Sequence, residues 1–154
     1  MEAARTIDPR INNITSTPSG VILFEVAGAG MLPAHFMGEG VLRIVSLLAQ
    51  IVSLPPGGIC LIDEIDTGLH FTALPTMWKA ILQAARQHDI QLFVTTHSDE
   101  CVRALVDVLK GEDRPLADAD CKLYRLEQEA ERTRAYDYDM DLIDHSMHLN
   151  WGYR

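Results

Sequence analysis

The fold of this 154-residue chain is decided by one short stretch, Ile59-Cys60-Leu61-Ile62-Asp63-Glu64. A short continuous apolar run is typical of a central parallel strand, because both faces of such a strand are covered. Pro55-Pro56-Gly57-Gly58 directly precedes it and predicts a loop. We therefore predict a buried strand over 59–64 that ends in two acids.

The residues that follow alternate between helix and strand patterns. Apolar spacing predicts a helix over 71–87, a second buried strand over 90–96 and an amphipathic helix over 99–110. Trp78 lies on the apolar stripe of the first helix and is expected in the core. This βαβα order implies a parallel sheet with helices packed on it and a right-handed crossover.

Four polar residues are expected along one rim of this sheet. Chemistry in parallel sheets lies at the carboxyl ends of the strands, which here carry Asp63, Glu64, Thr96 and His97. The first acid can hold Mg²⁺ through its water shell, and the second can polarise a water that attacks a γ-phosphate. The plainer alternative is an acidic turn that pairs with a neighbouring helix N-terminus.

The first third of the chain predicts extended structure and then a helix. Two β-branched segments, 11–16 and 21–27, flank Thr17-Pro18-Ser19-Gly20, which predicts a hairpin. A glycine-rich loop follows at 28–30. Residues 41–54 are apolar on nearly every side, which predicts a buried helix.

Other expectations come from the remaining composition. Residues 121–126 and 132–138 resemble a closing pair of strands, and the net charge of −9 argues against a basic nucleic-acid footprint. Three cysteines without a CxxC pair indicate a reducing compartment. The longest apolar run, 44–54, is too short to cross a bilayer. We expect a cytoplasmic protein with no membrane partner.

The order of these motifs resembles the carboxyl-terminal half of an ABC-type ATPase head, in the AAA-family P-loop ATPases related to the SMC, RecF and OLD groups. The resemblance covers roughly residues 5–108. It equates 37–43 with the signature motif, 61–64 with Walker B, 66–70 with the D-loop and 95–98 with the switch-histidine loop. It implies an α/β fold with a parallel sheet, a P-loop NTPase-like fragment with an amino-terminal β-hairpin.

The resemblance also implies roles for individual residues. Glu64 corresponds to the general base, Asp63 to the Mg²⁺ partner, His97 to the γ-phosphate sensor and Asp66 to the link between two sites. ATP and Mg²⁺ are the implied cofactors of the complete assembly.

The signature segment departs from the pattern of ABC heads. Gly38, Glu39 and Gly40 are the implied nucleotide-binding residues, but Gly38 stands where a serine is usual. Glycines at a helix start still leave backbone N–H groups open to an anion.

A larger departure is the absence of a GxxxxGK[ST] loop, the Walker A motif, from residues 1–154. We expect residues 1–154 to be the carboxyl-terminal part of a head, from a truncated or split gene. Because that loop supplies most phosphate affinity, the isolated chain should bind ATP weakly. Implied partners are a second head in a head-to-tail homodimer or a Walker A-bearing segment; a DNA or defence-system partner is undetermined.

Two further hypotheses stay open. The chain could be a non-catalytic interaction or regulatory module, or a truncated remnant of such an ATPase. It could also be a zinc or carboxylate hydrolase that uses His70, His97 and Asp63, and His145 with His148 is a weaker candidate metal pair.

Overall fold

The computed structural model describes residue 5 and residues 7–111, 121–129 and 132–138. The chain divides into two units, Met1–Leu116 and Ala117–Arg154. The candidate histidine pair at 145 and 148 lies outside the described residues.

The first unit opens with an antiparallel sheet. Strands β1 (Ile11–Ser16), β2 (Ile22–Val26) and β3 (Gly30–Pro33) pair in the order β1-β2-β3. The Gly20 N–H donates to the Thr17 carbonyl at 2.9 Å, and Gly20 has a φ of 84°, which glycine adopts without steric cost. The predicted hairpin is confirmed.

Strand β3 begins at the end of the predicted glycine-rich loop and ends at Pro33. The sequence did not predict a strand here. The ladder of β3 with β2 runs from Val26 opposite Gly30 to Leu23 opposite Pro33. Pairing overrides the weak β-propensity of glycine and proline here, because proline at a strand end need not donate. The buried centre of this sheet is Ile11, Phe24 and Val26.

Helix α1 (Glu39–Ser53) begins two residues earlier than predicted. The prediction that the whole helix is buried is wrong. One face is buried, comprising Ile44, Leu47, Leu48 and Ile51, whereas Val52 is 45% exposed. The helix is therefore amphipathic in its packing, although its sequence is apolar almost all round.

The predicted βαβα unit is confirmed. Strand β4 (Ile59–Ile62) pairs in parallel with β5 (Gln91–Val94), and α2 (Leu74–Gln87) connects them after a short 3₁₀ turn, Phe71–Ala73. Helix α3 (Asp99–Lys110) follows β5. The mixed α/β class with a parallel sheet and an amino-terminal hairpin is as expected from the sequence.

Helices α2 and α3 form much of the core of this unit. Trp78 is 4% exposed, as expected, and its Nε1–H donates to the carbonyl of Cys101 at 2.9 Å. The Ser98 side chain accepts from the Cys101 amide and caps α3. Met77 and Ile81 are fully buried on α2.

One face of the parallel sheet is exposed, contrary to the expectation that both faces are covered. Cys60 and Ile62 are buried, but the alternate residues Ile59, Leu61 and Phe93 are 57%, 76% and 53% exposed. Leu61 lies opposite Phe93 in the register, so these side chains share a face. Within the described ranges, neither strand pairs with a third strand. We call Ile59, Leu61 and Phe93 the apolar sheet face.

The second unit contains an antiparallel pair, β6 (Leu123–Glu129) and β7 (Arg132–Tyr138), close to the predicted strands. Across the part of the chain that the structure describes, every helix is too short or too polar to cross a membrane.

Candidate functional site

The carboxyl ends of β4 and β5 bring the predicted polar residues together. The register places Ile62 opposite Val94, so the acids after β4 adjoin the loop after β5. Asp63 and Glu64 follow directly on the first strand, and His97 belongs to the loop of the second.

Glu64 is held between two side chains. Its Oε1 lies 3.6 Å from Nδ1 of His97, and its Oε2 accepts a hydrogen bond from the Thr67 hydroxyl at 3.2 Å. The side chains of His97 and Glu64 are 76% and 55% exposed, so water reaches both. A carboxylate beside water and next to an imidazole is suited to proton transfer.

The backbone of Glu64 is unusual. Its φ is 45°, in the left-handed region that costs a residue with a Cβ about 1–2 kcal/mol. Such strain persists only where surrounding contacts fix the backbone, and it concentrates at functional sites.

Two consecutive threonines of the β5 loop each bond one acid. The Thr95 hydroxyl donates to Oδ1 of Asp63, and the Thr96 hydroxyl donates to Oδ1 of Asp66 at 2.5 Å. The Ser98 amide in turn donates to the Thr96 hydroxyl at 3.0 Å. The sequence placed Thr96 on the rim but gave no signal for these pairings, because the donors and acceptors are about thirty residues apart.

Beneath this loop, Cys101 is fully buried. Burial raises the pKa of its thiol, and the negative charge of Asp66 raises it further, although hydrogen bonds from Thr96 and Trp78 act in the opposite direction. A buried thiol with a raised pKa is protonated at neutral pH, which makes it a poor nucleophile.

The glycine-rich start of α1 lies beside the segment that follows the acids. Gly38 is the N-cap with a φ of 81°, and it and Glu39 are exposed. Gly40 packs against Leu69, whose Cδ2 would lie 3.4 Å from a Cβ at that position. The structure thus brings the predicted signature start next to the 66–70 segment.

The oxygen donors at the rim suit a hard cation. Mg²⁺ is commonly bound by one or two carboxylates together with substrate phosphates and waters, so it needs no cage of protein ligands. Asp63 supplies one such carboxylate, and its Oδ1 accepts a hydrogen bond from the Thr95 hydroxyl. A single exposed carboxylate of this kind is compatible with Mg²⁺.

The hypothesis of a zinc hydrolase has no support in the described residues. They contain no group of three histidine, cysteine or acidic side chains that could hold a metal ion. His70 instead bonds the Thr72 hydroxyl through Nδ1 at 2.9 Å and caps the 3₁₀ turn. The predicted set of His70, His97 and Asp63 does not assemble.

Residues 2–103 match a protein family described as "AAA domain, putative AbiEii toxin, Type IV TA system". The chain belongs to this AAA family. The match spans the hairpin, α1, the parallel sheet and the candidate site.

One sequence relative and one solved structure also agree with an ATPase-like AAA domain. An "ATP/GTP phosphatase" of Helicobacter pylori is 26% identical over 85 residues, which span 53% of this chain and 23% of that protein. The chain therefore aligns with about a quarter of that relative.

A solved structure shows the same fold. It is described as "Structural biochemistry of ATP-driven dimerization and DNA stimulated activation of SMC ATPases". The match has a TM-score of 0.65 at 16% identity and covers 96% of this chain and 86% of the other. The AAA domain thus has a P-loop ATPase-like fold.

Proposed function

We propose that this AAA domain is the carboxyl-terminal part of an ABC-type ATPase head, and that it hydrolyses ATP only together with a Walker A-bearing segment. The single observation that carries the proposal is the position of Glu64. Its carboxylate lies at the carboxyl edge of a parallel sheet, between His97 and Thr67, with Asp63 beside it. That edge is where α/β folds bind their ligands.

In this proposal Glu64 accepts the proton of the attacking water. Its exposed carboxylate is accessible to water, and the Thr67 hydroxyl restricts its orientation. His97, 3.6 Å from the same carboxylate, contacts the γ-phosphate from the neighbouring loop. Positioning a water and stabilising charge are the main tasks in phosphoryl transfer.

In this proposal Asp63 is the Mg²⁺ ligand, and Asp66 connects the two nucleotide sites. Asp63 is the carboxylate that would hold Mg²⁺, which when bound neutralises phosphate charge. Asp66 accepts a hydrogen bond from Thr96, which joins the segment after the acids to the β5 loop.

The apolar sheet face supports the requirement for a partner segment. Contiguous exposed apolar residues at a sheet face favour an interaction surface. This face belongs to the same two strands that lead into Asp63 and the β5 loop, so a segment covering it would pack beside the candidate site. We propose that the occupant carries the GxxxxGK[ST] loop absent from residues 1–154, from the same polypeptide or another.

A head-to-tail homodimer of complete heads completes the proposal. The start of α1, with Gly38, Glu39 and Gly40, would then present backbone N–H groups to the nucleotide of the other head. The solved SMC structure with this fold concerns ATP-driven dimerization, which supports dimer formation.

Nucleotide binding tests the proposal. We would measure the affinity for ATP with Mg²⁺ of the full chain alone and with a Walker A-bearing segment taken from the same genomic region. We expect weak binding alone and tight binding together. A Lys→Ala change in the added GxxxxGK[ST] loop is the control and should abolish the gain. Equally tight binding by the chain alone would contradict the proposal.

A second candidate, a non-catalytic interaction module, is favoured by the missing phosphate-binding loop. It predicts that the segment associates with the chain without any gain in ATP affinity, so the same titration separates the two candidates.

A further inference from the structure

Thr95 makes hydrogen bonds to four consecutive residues, from the last residue of β4 to Ile65. Its amide donates to the Ile62 carbonyl at 2.9 Å, and its carbonyl accepts from the Ile65 amide at 3.1 Å. Between these two backbone bonds, its hydroxyl donates to Asp63 Oδ1 and accepts from the Glu64 amide at 2.9 Å. One hydroxyl can make both bonds, because it has one donor and two acceptor positions.

The Glu64 amide belongs to the residue with left-handed backbone. Glu64 has a φ of 45°, which is unfavourable for a residue with a side chain, so a local contact must hold it. Two contacts do this: the Thr95 hydroxyl accepts from the Glu64 amide, and the Glu64 carbonyl accepts from the Thr67 amide at 3.0 Å. Of the two, only the bond to Thr95 comes from the neighbouring strand.

Packing does not account for a hydroxyl at this position. Thr95 is exposed, and both partners of its side chain are polar. Valine has nearly the same shape but neither donates nor accepts, whereas serine keeps the hydroxyl. Comparing Thr95→Val with Thr95→Ser therefore separates the effect of the hydrogen bonds from the effect of side-chain shape.

We propose that Thr95 is the positioning residue of the site, which fixes Glu64 in the left-handed conformation and Asp63 in a single orientation. The consequence for catalysis rests on the proposed function. In this proposal Thr95 contacts neither the nucleotide nor the attacking water, and it acts through the two acids.

The first test uses the isolated full chain and does not depend on ATP hydrolysis. Amide hydrogen exchange is measured by NMR in the wild type, Thr95→Val and Thr95→Ser. In Thr95→Val the Glu64 amide should exchange about tenfold faster, because its acceptor is lost. The Ile65 amide, which bonds the Thr95 carbonyl, should change less than about twofold. Thr95→Ser should restore the wild-type rate, and Thr133→Val in β7 is the matched control.

The second test measures ATP hydrolysis by the same variants with the Walker A-bearing segment. Thr95→Val should lower kcat about tenfold with little change in KM, and Thr95→Ser should recover most of it. A loss of stability alone would lower the folded fraction, which also lowers the apparent kcat at unchanged KM. The kcat is therefore expressed per folded molecule, with the folded fraction of each variant measured by urea unfolding, and a role limited to stability predicts a wild-type kcat on that basis. If Thr95→Val does not fold, Thr95→Ala replaces it in both tests.

The outcomes distinguish the two proposals. An unchanged Glu64 amide in Thr95→Val would overturn the positioning role, and so would a wild-type kcat in that variant. Faster exchange at Glu64 in a protein that never hydrolyses ATP would support the role of Thr95 in holding the acids and count against the proposed function alone.

Discussion

Nδ1 of His97 lies 3.6 Å from Oε1 of Glu64, although the two residues belong to loops after different strands. Parallel pairing of β4 with β5 creates this proximity, since both loops leave the sheet at the same edge. The pair is exposed, so it contributes little to stability. The role that we propose for it is in the reaction.

Removing the His97 imidazole should therefore separate activity from stability. His97→Ala should lower kcat of the assembled ATPase about 100-fold, the scale of losing one group that stabilises transition-state charge. Its free energy of unfolding should stay within about 0.5 kcal/mol of wild type. Steady-state kinetics and urea unfolding check this, with His35→Ala as the exposed control. A loss of stability with unchanged kcat would contradict it.

The apolar sheet face is predicted to be the docking surface of the Walker A-bearing segment. Leu61→Lys should leave the isolated chain folded, because Leu61 is 76% exposed. It should weaken binding of the segment at least about tenfold, since a charge would be buried on association. Calorimetric titration measures this. Leu126→Lys, at a 67% exposed leucine of β6, should bind normally. Equal effects of the two variants would argue against the docking surface.

The two glycines at the start of α1 should respond oppositely to alanine. Gly38 has a φ of 81° and a ψ of 149°, a region open mainly to glycine, so Gly38→Ala should destabilise by about 1–3 kcal/mol. Gly40 lies inside the helix, where Gly40→Ala should be neutral or stabilising by up to about 1 kcal/mol. Its new Cβ would lie 3.4 Å from Leu69 Cδ2, an ordinary contact. Thermal unfolding of both variants checks the contrast.

The sequence predicted the topology around the site well, because its signals there are local. The run at 59–62 and the apolar spacing of α2 and α3 each specify one element, and alternation implies parallel pairing. The hairpin followed from one turn.

The sequence did not show the features that depend on residues far apart in the chain or on surfaces that another segment would cover. The exposure of Leu61 was missed because an apolar side chain looks the same whether or not a surface covers it. The bonds of Thr95 to Asp63 and Glu64 were missed because hydroxyl pairing depends on the relative placement of two loops. The left-handed backbone of Glu64 has no sequence signal, since glutamate does not favour it.

ATP hydrolysis by the assembled head, compared between the wild type and Glu64→Gln, tests the central claim most directly. The substitution keeps the size of the side chain and removes its basicity, and Glu25→Gln in β2 is the matched control. We predict that Glu64→Gln binds ATP normally and lowers kcat by about 10²–10⁴-fold, while Glu25→Gln does not. A Glu64→Gln protein that hydrolyses ATP at the wild-type rate would contradict the assignment of Glu64 as the base.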